Sequence, residues 1–429
     1  MFWVNNLQAV VLAGGKGKRA FPLTANKPKP MQKILGKPLL HWVIERLKEA
    51  NLKDIIIVTG SFSNQIKDYF KDGEELGVSI EYAYQKEALG MANALEAAKD
   101  LVDDNFFVIN ADDIFESDLL EKMYNLFKKS DAEIILSCKP VKETWKFGIV
   151  EVKEDKVTRI VEKPGKRKEP SNLAVIGTYI LNKKIFDYYK KIPVSDDQFE
   201  KAIQKFIDDG NSVKVVKWDK SFLTYKYPWD LFSINEYLMN KYIKKQVIEE
   251  DVSISEKAYI EGNVWISKGV KILEGACIKG PCYIGKNTLI GDNVLIRNYS
   301  SIGDNCIVGF ASEIKNSLIG DNCYFHTNYI GDSIISDNCY FGSGAVTANL
   351  RFDEKIIKVK IEDRKIDSGR NKLGVIMGEN CRVGVNASIM PGIKIGPNSI
   401  VGPSVCLYED LAQNEMIFID KRSYVKKKR

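Results

Sequence analysis

The chain has only two histidines in 429 residues, no Cys-x-x-Cys pair and no apolar run of membrane length. Each shortage removes a class of function. Without paired histidines or paired cysteines, a zinc site lacks the ligand spacing it needs. Eight scattered cysteines require no disulfide framework, so a reducing compartment is expected. A membrane helix needs about 20 consecutive apolar residues, and the N-terminus carries no signal-peptide pattern, so the protein is expected in the cytoplasm with no membrane partner. Neither Gly-x-Gly-x-x-Gly nor Gly-Lys-Ser/Thr occurs, which excludes the dinucleotide fingerprint and the Walker loop. The net charge of +6 equals the six cations of the closing run Lys421, Arg422, Lys426, Lys427, Lys428 and Arg429. The body is therefore near neutral, and no nucleic acid partner is expected.

What the chain does have is a glycine loop after an apolar run: Leu12, Ala13, Gly14, Gly15, Lys16, Gly17, Lys18, Arg19. Glycines let backbone N–H groups approach a phosphate chain, and Arg19 and Lys29 add cationic heads at the same mouth. The loop suits a nucleoside triphosphate. Around it, periodicity predicts strands over 9–12, 55–59, 79–84 and 106–110, alternating with helices over 39–50, 64–70, 90–99 and 118–128. That order implies an α/β domain with a mostly parallel sheet, and its ligand belongs beyond the carboxyl ends of the strands. Ser195 and Gln198 read as a capping box for a helix over 199–208, and a helix over 231–245 closes the domain, set at 1–246.

From residue 247 the texture changes. Aliphatic residues recur every six positions, from Ile248 through Ile254, Ile260 and Ile266 to Val308 and Ile314. Period six fits neither a helix nor an ordinary strand; it marks a solenoid whose hexads form the flat sides of stacked coils. The register slips by one residue at Ile319, Ile330 and Ile335. An excursion over 351–374 interrupts it, and it resumes from Met377 to Leu407. The domain is set at 247–411, with a basic tail over 412–429. Five cysteines, Cys282, Cys306, Cys323, Cys339 and Cys381, stand four residues after an inward aliphatic and read as packing residues at the corners.

The joint pattern of the glycine loop, Pro22-Leu23-Thr24 and Lys27-Pro28-Lys29-Pro30-Met31 resembles the sugar-1-phosphate nucleotidyltransferases. The resemblance implies a Rossmann-like sheet, catalytic Arg19 and Lys29, and Mg²⁺ held by Asp112 at the end of a strand. It implies Leu12, Ala13, Gly14, Gly15, Gly17, Gln85 and Gly90 at the nucleotide. Phe147-Gly148, Glu162 in Glu-Lys-Pro, and Asn172 resemble the sugar-binding positions. Three residues depart from the family pattern: Lys18 and Met91 each replace a threonine, and Thr224 stands where an aspartate would supply a second metal ligand.

The solenoid resembles the left-handed parallel β-helix of hexapeptide acyltransferases. The segment His326-Thr327-Asn328-Tyr329-Ile330-Gly331-Asp332-Ser333 resembles one found in archaeal-type amino-sugar-1-phosphate acetyltransferase domains. The resemblance implies His326 as general base, since a neutral imidazole can take a proton from an attacking amine. Arg297, Lys315, Tyr329, Asn349, Lys355 and Lys358 match positions that hold the sugar and its phosphate. Together the two resemblances imply one bifunctional enzyme. It would acetylate glucosamine-1-phosphate, or its galactosamine epimer, with acetyl-CoA, then couple the product to UTP or dTTP and release pyrophosphate. Family analogy adds a homotrimer or a dimer of trimers. Two other readings stay open: a single-activity nucleotidyltransferase with a structural solenoid, and a non-catalytic regulatory scaffold.

Overall fold

The computed structural model describes residues 7–165 and 168–420. The chain divides into two compact units, one of Met1–Lys16, Lys27–Met31 and Pro38–Thr224, the other of Gly17–Asn26, Gln32–Lys37 and Tyr225–Arg429.

The first unit is built on a nine-stranded sheet. Its strands are β1 (Gln8–Leu12), β2 (Asp54–Thr59), β3 (Ser79–Tyr84), β4 (Asn105–Asn110), β5 (Ile134–Pro140), β6 (Gly148–Lys153), β7 (Lys156–Glu162), β8 (Leu173–Asn182) and β9 (Val213–Lys217), in spatial order β3-β2-β1-β4-β8-β5-β9-β7-β6. The four strands expected from the sequence form the parallel half. Beyond them β8 runs antiparallel to both β4 and β5. Alternation of apolar residues marks a strand but not its direction, so that reversal was not legible. Val10, Ile56, Val58, Phe106 and Val108 are fully buried, as strands covered on both faces must be. The helices are α1 (Leu39–Glu49), α2 (Ser63–Phe70), α3 (Met91–Glu96), α4 (Asp118–Lys129), α5 (Ile185–Tyr189) and α6 (Gln198–Asp208). The capping box expected at α6 does not form. Ser195 Oγ donates to Asp197 Oδ1 at 2.7 Å, and Gln198 Nε2 donates to the carbonyls of Tyr189 and Ile192, both at 3.1 Å, so neither side chain reaches the helix end.

In the second unit three parallel sheets of eight, nine and eight short strands stack as a left-handed β-helix. Strand partners lie 18 residues apart through the first coils, as in Ile248 with Ile266 and Ile284 with Ile302. The slips read from the sequence appear as shortened spacings: Ile302 pairs Ile319, Ile314 pairs Ile330, and Ile319 pairs Ile335. Across the excursion Ile335 pairs Met377, so the coil resumes as though the inserted residues were absent. The excursion is an antiparallel hairpin of Lys358–Ile361 with Arg364–Asp367. Corners are turned by asparagines in the left-handed region, among them Asn305 (φ 55°), Asn322 (φ 55°) and Asn338 (φ 60°). The cysteine column packs as expected: Cys306, Cys323, Cys339 and Cys381 are fully buried, and each thiol donates to a carbonyl of the next coil at 3.2 Å.

Two boundaries differ from the sequence reading. Helix α7 (Asp230–Tyr242) groups with the solenoid, because Asn235 Nδ2 donates to the Tyr299 carbonyl at 2.7 Å and the Arg370 guanidinium lies 4.4 Å over the Phe232 ring. At the other end Met416–Ile417 pair with Ile400–Val401, so the solenoid continues beyond residue 411. The cations of the basic tail, 421–429, lie outside the described residues.

Candidate active sites

In the first unit, β1 ends between its neighbours: Ala13 N–H donates to the Val58 carbonyl at 2.8 Å, and Ala111 N–H donates to the Leu12 carbonyl at 3.1 Å. Leu12 and Ala13 are thereby fixed at the mouth of the sheet. A Cβ on Gly14 would lie 2.4 Å from Gln85 Oε1, so only glycine lets the buried Gln85 sit over the loop. Gln85 is held by Asn93, whose Oδ1 accepts from Nε2 at 2.8 Å, with Gly90 O at 3.5 Å. Gly90 has φ 109°, which a side chain would strain. The structure thus gathers Leu12, Ala13, Gly14, Gln85 and Gly90, with Gly15 exposed and open beside them. Gly17 (φ 62°) opens a 3-10 turn, Lys18–Ala20, on which Arg19 is exposed; this turn belongs to the segment grouped with the second unit.

Lys29 Nζ donates to Asp112 Oδ2 in an ion pair with both side chains partly exposed. Asp112 follows β4 after one residue, Ala111. Its neighbour Asp113 is buried, and Asn110 Nδ2 donates to its Oδ2 at 2.9 Å. Burial, then the Asp112 charge, pushes the Asp113 carboxyl well above the usual carboxylate range. Thr224 lies across from Asp113 in the antiparallel pair Phe222–Thr224 with Asp113–Phe115. Asp230 does not replace the missing carboxylate, since its Oδ2 accepts from the backbone N–H groups of Lys226 and Tyr227 at 2.7 and 2.6 Å. One partly exposed carboxylate fits Mg²⁺, which takes one or two protein carboxylates and completes its shell with phosphate oxygens and water.

At the far end of the sheet Gly148 and Glu162 face one another across β6 and β7, and a Cβ on Gly148 would come within 3.0 Å of Glu162 Oε2. Lys163 Nζ lies 2.6 Å from Glu162 Oε1. Glu200 on α6 closes this group from behind: burial, then the Glu162 charge, pushes its carboxyl up to about 7, and its Oε2 is buried with no hydrogen-bond partner. Reading the sequence alone misses Glu200, which shows there only as one position on a helix. Asn172 is exposed, its carbonyl accepting from Val141 N–H at 2.9 Å, and no hydrogen bond joins its side chain to Glu162 among the described residues.

On the solenoid, stacking builds a second cluster. Arg297 Nε and Nη2 approach Glu313 Oε1 at 2.8 and 2.7 Å. Lys315 Nζ donates to Asp332 Oδ2 at 2.6 Å, and Asn349 Nδ2 donates to the same oxygen at 2.5 Å and to the Tyr329 hydroxyl at 3.2 Å. Burial raises the Tyr329 phenol above its ordinary value. Arg370, returning from the excursion, is half-buried. Desolvation lowers its guanidinium from the usual range, against the raising field of Asp332. Four predicted residues, Arg297, Lys315, Tyr329 and Asn349, are therefore paired in neighbouring coils. Lys355 and Lys358 are not among them. Lys355 is exposed 4.0 Å from Asp353, and Lys358 is exposed on the hairpin opposite Asp367. The hairpin instead returns Lys372 to Asn349: Lys372 bridges Leu350, and Leu373 N–H donates to the Asn349 carbonyl at 2.9 Å. His326 is exposed at the corner preceding Tyr329 and lines a cleft of about 450 Å³ with Tyr340, Arg382, Gly384 and Phe418. The Arg382 guanidinium lies 3.7 Å over the Tyr340 ring in that wall.

A glycine loop beside a strand-end carboxylate, followed by a hexad solenoid with a cationic cluster, defines a nucleotidyltransferase joined to a hexapeptide acyltransferase. The comparisons agree: residues 8–231 match the Nucleotidyl transferase family, and 281–316 with 374–408 match the Bacterial transferase hexapeptide repeats. The chain is 40% identical to the bifunctional protein GlmU of Methanococcus maripaludis strain C7 over 99% of this chain and all of that protein. It is 38% identical to GlmU of Methanocaldococcus jannaschii, covering 96% and 97% of the two chains. It is 32% identical to the bifunctional sugar-1-phosphate nucleotidylyltransferase/acetyltransferase of Sulfurisphaera tokodaii, covering 95% and 99%. A solved UDP-glucose pyrophosphorylase complexed with UDP-glucose superposes with TM-score 0.50 at 25% identity, over 55% of this chain and 99% of that one. The chain belongs to the bifunctional GlmU family of transferases. Among the described residues no helix is long and apolar enough to cross a membrane.

Proposed function

We propose that the second unit acetylates an amino-sugar-1-phosphate, glucosamine-1-phosphate or its galactosamine epimer, with acetyl-CoA. The first unit then couples the product to UTP or dTTP. The observation that carries the acetyl-transfer half is the linked group Lys315, Asn349 and Tyr329, assembled from successive coils beside Arg297. Arg297 and Lys315 neutralise the sugar phosphate. The free amine attacks the thioester carbonyl, His326 takes the amine proton, the carbon–sulfur bond breaks, and the thiol leaves protonated. The cleft beside His326, with its Arg382–Tyr340 wall, suits a nucleotide-bearing thioester.

In nucleotidyl transfer a sugar-phosphate oxygen attacks the α-phosphorus and pyrophosphate departs. Bound Mg²⁺, held by Asp112, supplies charge neutralisation on the triphosphate. Lys29 and Arg19 carry the cationic share of this chain, Gln85 reads the base, and Glu162 accepts sugar hydroxyls. We place the enzyme in the cytoplasm as a homotrimer or dimer of trimers; Phe352 and Ile356, exposed at the excursion, suit burial against a second copy. The test is a screen of amino-sugar-1-phosphates and nucleoside triphosphates that follows free thiol and pyrophosphate separately. Release of pyrophosphate alone with every acceptor would favour a single-activity nucleotidyltransferase.

A further inference from the structure

Lys315, Asp332 and Asn349 stand 17 residues apart in turn, one coil each, and Asp332 is the middle member. Its carboxylate is buried and takes three donors. Lys315 Nζ at 2.6 Å and Asn349 Nδ2 at 2.5 Å share Oδ2, while Asn316 Nδ2 meets Oδ1 at 2.7 Å. An ionised carboxylate accepts and never donates, so it decides which end of the Asn349 amide faces it. The NH₂ must turn inward. Its second N–H goes to the Tyr329 hydroxyl at 3.2 Å, so the amide carbonyl oxygen is left on the side away from the carboxylate. The Tyr329 hydroxyl, accepting from Asn349, keeps its own proton to donate.

We propose that Asp332 is a positioning residue for acetyl transfer. It fixes Asn349 with its carbonyl oxygen toward the amine of the amino-sugar-1-phosphate and holds the Lys315 ammonium where the sugar phosphate binds. This rests on the acetyl-transfer reading above. An amine N–H bonded to the Asn349 carbonyl leaves the nitrogen lone pair free to face the thioester. An amide able to flip would offer N–H to that nitrogen instead and occupy the lone pair. Asp332 touches no reacting atom in this scheme; it acts through Asn349 and Lys315.

The experiment measures thiol and pyrophosphate release by wild type, Asp332→Asn, Asp332→Glu, Asn349→Ala and the Asp332→Asn/Asn349→Ala double variant. In Asp332→Asn the expected result is kcat for acetyl transfer lower by about 10-fold or more, with a raised KM for the amino-sugar-1-phosphate and unchanged pyrophosphate release. The double variant should fall no more than about 3-fold below Asn349→Ala in kcat, because the first change acts through the residue removed by the second. Asp332→Glu, which keeps an acceptor, should recover part of kcat; it also serves as the test variant if Asp332→Asn loses its cooperative unfolding transition. Wild-type kcat and KM in a folded Asp332 variant, or full additivity in the double variant, would overturn the proposal and leave the acetyl-transfer reading standing. Absence of thiol release from the wild type with every amino-sugar-1-phosphate would overturn both.

Discussion

Replacing Glu200 by glutamine removes one titrating carboxyl from the first unit without changing its shape. Glu200 has a carboxyl pushed up to about 7, first by burial and then by the Glu162 charge, from an ordinary value of 4.5. The folded chain therefore holds a proton that the unfolded chain has lost between those two values. Stability from this group is present at low pH and disappears as pH rises through about 7. The rise from 4.5 to about 7 corresponds to at most about 3.4 kcal/mol, of which about 2.5 would be lost between pH 5 and pH 8. Residual solvent access trims this to about 2 kcal/mol. Glutamine has no proton to lose, so Glu200→Gln should flatten the pH dependence of unfolding by that amount. For a unit of this size the change is about 4–8 °C in Tm between the two pH values. Calorimetry of both proteins at pH 5, 6, 7 and 8 reads it directly, because every other titrating group is common to the two. Parallel Tm curves for wild type and variant across that range would refute the reasoning.

Three further outcomes follow from the same geometry. Arg19→Ala or Lys29→Ala should slow pyrophosphate release by about 10²-fold or more, through lost stabilisation of developing charge; wild-type rates in both would remove them from the chemistry. Asp112→Asn should abolish pyrophosphate release and spare thiol release, while His326→Ala does the reverse, a contrast read by assaying both products from each variant. Thr224→Asp sets a carboxylate across from buried Asp113 and so should lower Tm without metal, with Mg²⁺ restoring it; a variant unmoved by Mg²⁺ would mean that position 224 lies off the metal.

The solenoid was legible almost residue by residue because its period is its structure: each hexad writes one side of a coil, and a missing residue shows as a slip. The parallel half of the α/β sheet was legible for a related reason, since short strands separated by helices leave few other arrangements. What failed was local chemistry that depends on a neighbour far away in sequence. Ser195 and Gln198 have the spacing of a capping box, but Asp197 captures the hydroxyl and α5 captures the amide. Of the site residues, those set by motif spacing, Gly14 with Gln85 and Lys29 with Asp112, were brought together. Glu200 was not foreseen, because nothing in a helical pattern reveals that its solvent side will be covered by Glu162 and Gly148.

The slips in the solenoid are themselves part of the site. In an unbroken coil of 18 residues, the residue stacked on Lys315 would be Ser333, whose small hydroxyl is spent within the corner, where its Oγ donates to the Gly331 carbonyl at 2.8 Å. Shortening that coil instead pairs Lys315 with Gly331 and places Asp332, in the left-handed region at φ 48°, just past it. A Cβ on Gly331 would lie 2.6 Å from the Tyr329 hydroxyl and 2.7 Å from Asn349 Nδ2, so glycine at that step keeps the space through which those two groups meet. The next coil is short as well, and it brings Asn349 onto the same carboxylate. Three omitted residues thus turn a repeating scaffold, whose faces would otherwise present the same row at every level, into one place where an acid, an amide, a phenol and a lysine from successive coils converge.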